Sequence, residues 1–129
     1  MNRILTLLAI IMITITSCEK YDEDVFQITG IYDARVVGLT GPHDIGISYE
    51  NGDNVIIEAP FDGFVWISVY ADVDNQDEAV KHIDIDWQEI GPGIYIEGEG
   101  AYLNGSLQLD YTIDFTTEII DFRIVGSQL

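Results

Sequence analysis

The side chains able to do chemistry in this sequence are mostly oxygen acids and aromatics. The run Asp72-Val73-Asp74-Asn75-Gln76-Asp77-Glu78 concentrates oxygen ligands in a stretch expected to be a loop. Calcium takes six to eight oxygens in loose geometry, so Asp72, Asp74, Asp77 and Glu78 are candidate calcium ligands. The run is no EF-hand: the sixth position from Asp72 is Asp77, where the sharp turn needs glycine, and the twelfth is Ile83 rather than glutamate. A solvated acidic loop explains the same residues. Asp84 and Asp86 share one face of an expected strand, as do Asp110 and Asp114 on another. Paired carboxylates can hydrolyse glycosidic bonds when they stand about 5 Å or 6.5–9.5 Å apart across a cleft. Alternating acids also simply keep a water-facing strand soluble. The aromatic candidates are Phe64, Trp66 and Tyr70, which alternate along one expected strand. An open face of that kind stacks sugars or holds an apolar ligand, and a closed one fills a core.

Other chemistries find no constellation. His43 falls in an expected loop and His82 on a polar strand face, with no pattern joining either to a nucleophile. There is no Gly-x-Ser-x-Gly elbow, no His-x-x-x-His or cysteine cluster for zinc, and no glycine-rich junction with a lysine to cradle phosphate. The expectation is a protein that is not an enzyme. A hydrolase using the strand carboxylates is the rival from another class.

The sole cysteine, Cys18, stands where an apolar run stops. Residues 1–17 open with Arg3 and continue through an apolar stretch from Ile4 to Ile15, interrupted only by threonines. That stretch has the length of a signal-peptide core and is shorter than the roughly 20 apolar residues of a bilayer span. Ile15-Thr16-Ser17-Cys18 resembles the lipobox of bacterial lipoproteins, with isoleucine where leucine is commoner. The resemblance implies that a diacylglycerol is attached to the Cys18 thiol, that the chain is cut before it, and that the new amine is acylated. A single acyl chain gives marginal, reversible attachment at about 0.8 kcal/mol per buried methylene, whereas two or three chains hold firmly. Glu19-Lys20-Tyr21-Asp22-Glu23-Asp24 then resembles the acidic tether of Bacteroidota-type surface lipoproteins. It implies an outer-membrane address, with the protein at the cell surface; a periplasm-facing anchor is the alternative.

All 23 acidic residues follow Cys18, against four fixed cations at Lys20, Arg35, Lys81 and Arg123, and the whole chain carries a formal charge of −18. Nucleic acid is excluded as a partner, because binding it relies on basic side chains displacing counterions from phosphate. Adhesion of the domain itself to an anionic membrane is disfavoured for the same reason. Cationic partners, divalent ions and plain solubility are favoured.

The elements that must position these residues are strands. Leu107-Gln108-Leu109-Asp110-Tyr111-Thr112-Ile113-Asp114-Phe115 alternates apolar and polar throughout. In a strand this separates the two sets onto opposite faces, and in a helix it would scatter both. Seven further strands are expected. Residues 26–37 offer Phe26, Ile28, Tyr32, Ala34 and Val36 inward, with a bend at Gly30; residues 44–50 offer Ile45, Ile47 and Tyr49; residues 54–59 offer Val55 and Ile57. Residues 64–73 are apolar on both faces, as in a strand covered on both sides. Residues 82–90 offer Ile83, Ile85 and Trp87, with the polar set opposite; residues 93–102 offer Ile94 and Ile96 inward and Tyr95 on the polar side; residues 118–125 offer Ile120, Phe122 and Ile124. Gly98 and Gly100 mark where the backbone can curl or approach another layer. Asn51-Gly52 and Asn104-Gly105 are hairpin signals, Gly91-Pro92-Gly93 and Thr116-Thr117 are tight connections, and residues 37–42 and 72–80 are the longer ones.

Strands joined by short links pair antiparallel, so the chain reads as an all-β meander of about eight strands. Closure into a barrel removes exposed edges; a β-sandwich or a curved open sheet satisfies the same pattern. Gly30-Ile31-Tyr32 resembles the Gly-x-Trp of lipocalin-like barrels, and Gly98-x-Gly100 before Leu107-x-Leu109-x-Tyr111 looks like a pattern of small lipocalin-like lipoproteins. The organisation expected is a signal at 1–17, a lipidated cysteine and tether at 18–25, and one β-domain at 26–129. The function expected is a lipid-anchored, non-enzymatic binding or interaction module for a small apolar ligand, a glycan or a protein. The alternative is an accessory subunit of a surface complex.

Overall fold

A strand meander has two ways to dispose of its edges, and this chain closes. The computed structural model describes residues 23–74 and 78–129. Cys18, residues 1–17 and the first part of the tether lie outside the described residues. After a four-residue helical turn, α1 (Glu23–Phe26), come β1 (Gly30–Val36), β2 (Thr40–Asn51), β3 (Asn54–Ala59), β4 (Ile67–Asp74), β5 (Lys81–Gly91), β6 (Ile94–Leu103), β7 (Ser106–Asp114) and β8 (Ile119–Gln128). Each strand pairs antiparallel with the next, and β8 returns to pair with β1, from Tyr32↔Gln128 to Val36↔Ile124. The result is an eight-stranded, lipocalin-like closed barrel and neither a sandwich nor an open sheet.

Alternation decides what lies inside. On β7, Leu107, Leu109, Tyr111 and Ile113 are buried while Gln108 is exposed and Asp110, Thr112 and Asp114 are half-buried. The same parity buries Ala34 and Val36, Ile45 and Ile47, Val55 and Ile57, and Ile83 and Ile85. These side chains join Tyr32, Phe61 and Ile124 in one continuous core, and barrels of this strand number are just wide enough for side chains to fill them. Full burial of each large aliphatic contributes about 1.5–3 kcal/mol. Inward glycines let the wall curl: a Cβ at Gly98 would sit 2.4 Å from the Asp110 carbonyl oxygen, and one at Gly100 would sit 2.5 Å from Leu109 Cδ2. The hairpin signalled by Asn104-Gly105 closes in two residues, both with positive φ, +48° and +86°, as a type I′ turn requires.

Three sequence expectations fail, each through a local competitor to the strand. The first strand begins at Gly30, not Phe26. Residues 23–26 coil instead, which puts Val25 and Ile28, both fully buried, into one mouth of the barrel. Phe26 is left outside, stacked on Tyr49 at 4.7 Å. The Tyr32 hydroxyl donates to the Ile28 carbonyl and fastens this plug.

The strand expected from Phe64 begins only at Ile67. Asp62 is the reason: its Oδ1 accepts the backbone N–H of Phe64 at 2.8 Å and of Val65 at 2.7 Å, holding residues 62–65 in a turn. Nor is β4 covered on both sides, since its outward face, with Ser68 and Tyr70, is exposed.

Trp87 was expected to point inward and does not. Pairing of β5 with β6 jumps from Ile85↔Gly98 to Gln88↔Ile96, which places an extra residue on β5. Such a bulge reverses the facing of whatever follows it. Trp87 is therefore 53% exposed, and it stacks on Tyr95 at 5.0 Å with the ring planes 10° apart.

Candidate functional site

The connections divide between the two barrel mouths. The first mouth carries α1, the β2–β3 turn, the β4–β5 connection, the Asn104-Gly105 turn and the end of β8. The opposite mouth carries the β1–β2 turn, the loop at 60–66, the β5–β6 turn and the β7–β8 turn. Strands of six to twelve residues separate the two mouths by roughly 20 Å or more at about 3.3 Å per residue.

Exposed apolar side chains gather at the opposite mouth: Val37, Leu39, Phe64, Val65, Trp66 and Ile119 are each about half or more exposed. Phe64, at 72%, is the most exposed aromatic among the described residues. Beneath it runs a groove of about 790 Å³ whose apolar lining comes from Val37, Leu39, Phe64, Phe115, Ile120 and Phe122. Its acidic lining comes from Asp62, Glu118, Asp121 and Asp110. Arg123 is held to one of these, its Nε donating to Asp110 Oδ1 at 2.5 Å. That guanidinium, then Gln108 Nε2 at 2.7 Å, holds the Asp110 carboxyl below the usual range.

The groove exists because β1 and β8 part company. Their pairing ends at Val36↔Ile124, and one further bond follows, Val37 N–H to the Arg123 carbonyl at 2.9 Å. The chain then turns, with Leu39 N–H donating to the Val36 carbonyl at 3.0 Å. Residues 119–122 of β8 continue along β7 alone, from Tyr111↔Phe122 to Asp114↔Ile119.

The predicted aromatic set is not one site. Phe64 overhangs the groove, whereas Trp66 meets His43 edge-on at 5.9 Å, and His43 Nε2 is 2.9 Å from Thr40 Oγ1. Tyr70 stands on the side wall against Gln88. None of the three fills the core, so the core-filling reading is corrected. Sequence reasoning also missed that exposed Trp87 stacks on half-buried Tyr95, because the facing of Trp87 depends on the bulge.

The predicted calcium ligands are dispersed too. The acidic run is not one loop, since β4 extends through Asp74. Asp77 lies outside the described residues, and Glu78 uses its backbone carbonyl to accept Lys81 Nζ at 3.1 Å. Burial first, then the neighbouring Asp86 carboxyl on β5, raises the pKa of Asp72. Asp74 bonds Asp84, which raises the pKa of Asp74 and lowers that of Asp84. His82 Nε2 stands 2.9 Å from Asp84 Oδ1, and ligand atoms of Asp74, His82 and Asp84 all lie within 4.8 Å of one another. One imidazole and two carboxylates suit a divalent transition ion as well as calcium. Reasoning along the chain missed this trio because its members face one another only through the Asp74↔His82 register.

The second carboxylate pair is engaged otherwise. Asp110 binds Arg123, and Asp114 Oδ1 accepts Thr116 N–H at 2.8 Å within the β7–β8 turn. No family model matches the chain, no curated protein is similar to it, and no solved structure matches it.

Proposed function

We propose that this protein is a non-enzymatic interaction module of the bacterial envelope, tethered to the outer membrane by lipid on Cys18, which engages a protein partner through the barrel mouth farthest from the tether. The observation that carries this reading is one of placement. The chain enters the barrel at the mouth plugged by Val25 and Ile28, and the exposed apolar cluster around Phe64 stands at the other. A body anchored through its entry mouth presents that cluster outward, away from the lipid. Exposed apolar patches rimmed by polar residues commonly mark interaction sites, and this one is rimmed by acids.

The filled interior bears on the kind of ligand. Tyr32, Phe61, Ile45, Ile57, Ile83, Leu109 and Ile113 are at or near zero exposure inside the wall, which favours binding on the outside over carriage of a small molecule within. An accessory subunit of a surface complex fits this geometry better than a carrier of apolar ligands does.

Two measurements test the reading. Mass spectrometry of the envelope-extracted protein is expected to find diacylglycerol on the Cys18 sulfur, and Cys18→Ala is expected to release the protein from the membrane fraction. A photo-crosslinking residue at position 64 is expected to capture a protein in intact cells, while one at Glu97, an exposed position on the side wall, is not. A bare sulfur, or equal capture at both positions, refutes the proposal.

A further inference from the structure

The groove beneath Phe64 contains a length of unused strand edge. In an antiparallel strand, successive residues direct their N–H and C=O alternately to the two sides. The Arg123 carbonyl points toward β1, because it accepts Val37 N–H at 2.9 Å. Two-residue alternation then sends the peptide groups of Asp121 and Ile119 to the same side. The hairpin agrees: Phe115 N–H donates to the Glu118 carbonyl at 2.9 Å, which sets Ile120 and Phe122 to bond β7 and leaves Ile119 and Asp121 facing outward. By that point β1 has turned away, and among the described residues nothing pairs with them on that side. The barrel, closed along most of its height, is notched at this corner.

We infer that the notch is a strand-addition site for an extended, basic and apolar segment of a partner protein. The inference rests on the proposed interaction role and specifies the partner's chemistry. Main-chain pairing to Asp121 and Ile119 supplies affinity that is independent of sequence, and alternate side chains supply selectivity. On one face of the added strand, side chains meet Ile120, Phe122 and Phe64, which calls for apolar residues. On the other they meet Asp121, beside Ile119 and an Arg123 already engaged by Asp110, while Asp62 and Glu118 line the same groove, which calls for lysine or arginine.

Charge sorts the possible occupants. A second copy of the chain brings a formal −18 to a rim that is already acidic. The chain's own N-terminal stretch, Glu19-Lys20-Tyr21-Asp22-Glu23-Asp24, is acidic as well, and the described chain begins at the far mouth with Glu23. A cationic segment of another protein is the occupant that the rim attracts.

The test uses the barrel protein and defined ten-residue peptides followed by fluorescence polarisation: alternating Ile/Lys, alternating Ile/Glu, and alternating Ser/Lys. Saturable binding is expected for Ile/Lys, with Ile/Glu and Ser/Lys weaker by about tenfold or more, the ratio that about 1.4 kcal/mol produces. Asp121→Pro removes the outward N–H and spares the backbone bonds to β7, losing there only the side-chain oxygen that accepts Thr112 Oγ1 at 2.7 Å, and is expected to weaken Ile/Lys binding by about tenfold. Asp121→Asn keeps the N–H and loses only the charge, so its effect is expected to be smaller. Because proline can disturb the strand, amide exchange provides a check that needs no variant. The Ile119 and Asp121 amides are expected to exchange fast in the free protein and slow by about tenfold with Ile/Lys bound, while the Ile120 amide stays protected throughout. Equal binding of Ser/Lys, unchanged exchange at 119 and 121, or self-association broken by Asp121→Pro overturns the inference. If position 64 still captures a protein in cells when these results are negative, the interaction role stands and strand addition alone falls.

Discussion

Gln88 gives Tyr70 both of the bonds that a neighbouring strand would give it. Its Oε1 accepts Tyr70 N–H at 2.9 Å, its Nε2 donates to the Tyr70 carbonyl at 2.8 Å, and the same amide reaches the Asp86 carbonyl at 3.0 Å. The need arises from the bulge. Residues 67–71 of β4 are paired to β3, but β4 and β5 are in register only from Asp72↔Asp84 to Asp74↔His82. Beyond that point β5 swings outward, and a side-chain amide stands in for its backbone.

Gln88→Ala is expected to cost about 1–2 kcal/mol, from two or three hydrogen bonds each worth about 0.5–1.5 kcal/mol net at a partly wetted site. Gln88→Glu is expected to cost more at neutral pH. It cannot donate to the Tyr70 carbonyl, and it sets a further charge beside Asp86. Thermal unfolding of both variants across pH checks the order, and a Gln88→Ala protein as stable as the parent contradicts the role.

Asp72 works against the fold at neutral pH. Burial and its contact with Asp86 raise its pKa, so the folded protein holds that proton more tightly than the unfolded chain does. The carboxylate's cost is absent below the ordinary aspartate range and sets in as pH rises through the raised value. Asp72→Asn is therefore expected to stabilise at pH 7 by about 0.2–1 kcal/mol, the scale of a cross-strand like-charge contact, and to lose its advantage in acid. Asp84 behaves oppositely. Its pKa is lowered by the Asp74 hydrogen bond and by His82, so its stabilisation is present above the ordinary range and is lost as pH falls through the lowered value. Paired melting curves from pH 3 to 7 separate the two signs.

The interior should behave as a solid core. The Tyr111 hydroxyl donates to the buried Phe61 carbonyl at 2.5 Å, and the two rings meet edge to face at 5.2 Å. Tyr111→Phe is expected to cost about 1–3 kcal/mol by orphaning that carbonyl. Ile113→Ala is expected to cost about 2–5 kcal/mol by leaving a cavity. Fluorescent fatty-acid probes are expected to show no saturable uptake by the parent protein, and saturable uptake would show that the barrel opens to ligands.

Phe64 and Trp66, apolar as they are, should hardly matter to folding. Each is at least half exposed, and surface substitutions away from caps and networks usually lie within about 0.5 kcal/mol. Phe64→Ala and Trp66→Ala are expected to melt with the parent, in contrast to Ile113→Ala. A loss of more than about 2 kcal/mol in either would place them in the core after all.

These contrasts mark how far the sequence is legible. Alternation along residues 107–115 is a property of the chain itself, and it determined β7, its inward face and, repeated along the chain, an all-strand meander. Asn104-Gly105 determined a hairpin, because positive φ at two successive residues is a local matter. Which side chains meet was decided elsewhere. One extra residue on β5 turned Trp87 out to Tyr95, one carboxylate at Asp62 held Phe64 out of β4, and the Asp74↔His82 register brought an imidazole to two acids. The notch beside Ile119 and Asp121 exists only because β1 closes on part of β8 and leaves the rest. Facing within a strand follows from a period of two and can be read from neighbours in sequence. Bulges, registers and closure are set by competition among distant backbones for the same hydrogen bonds, and only the folded barrel resolves that competition.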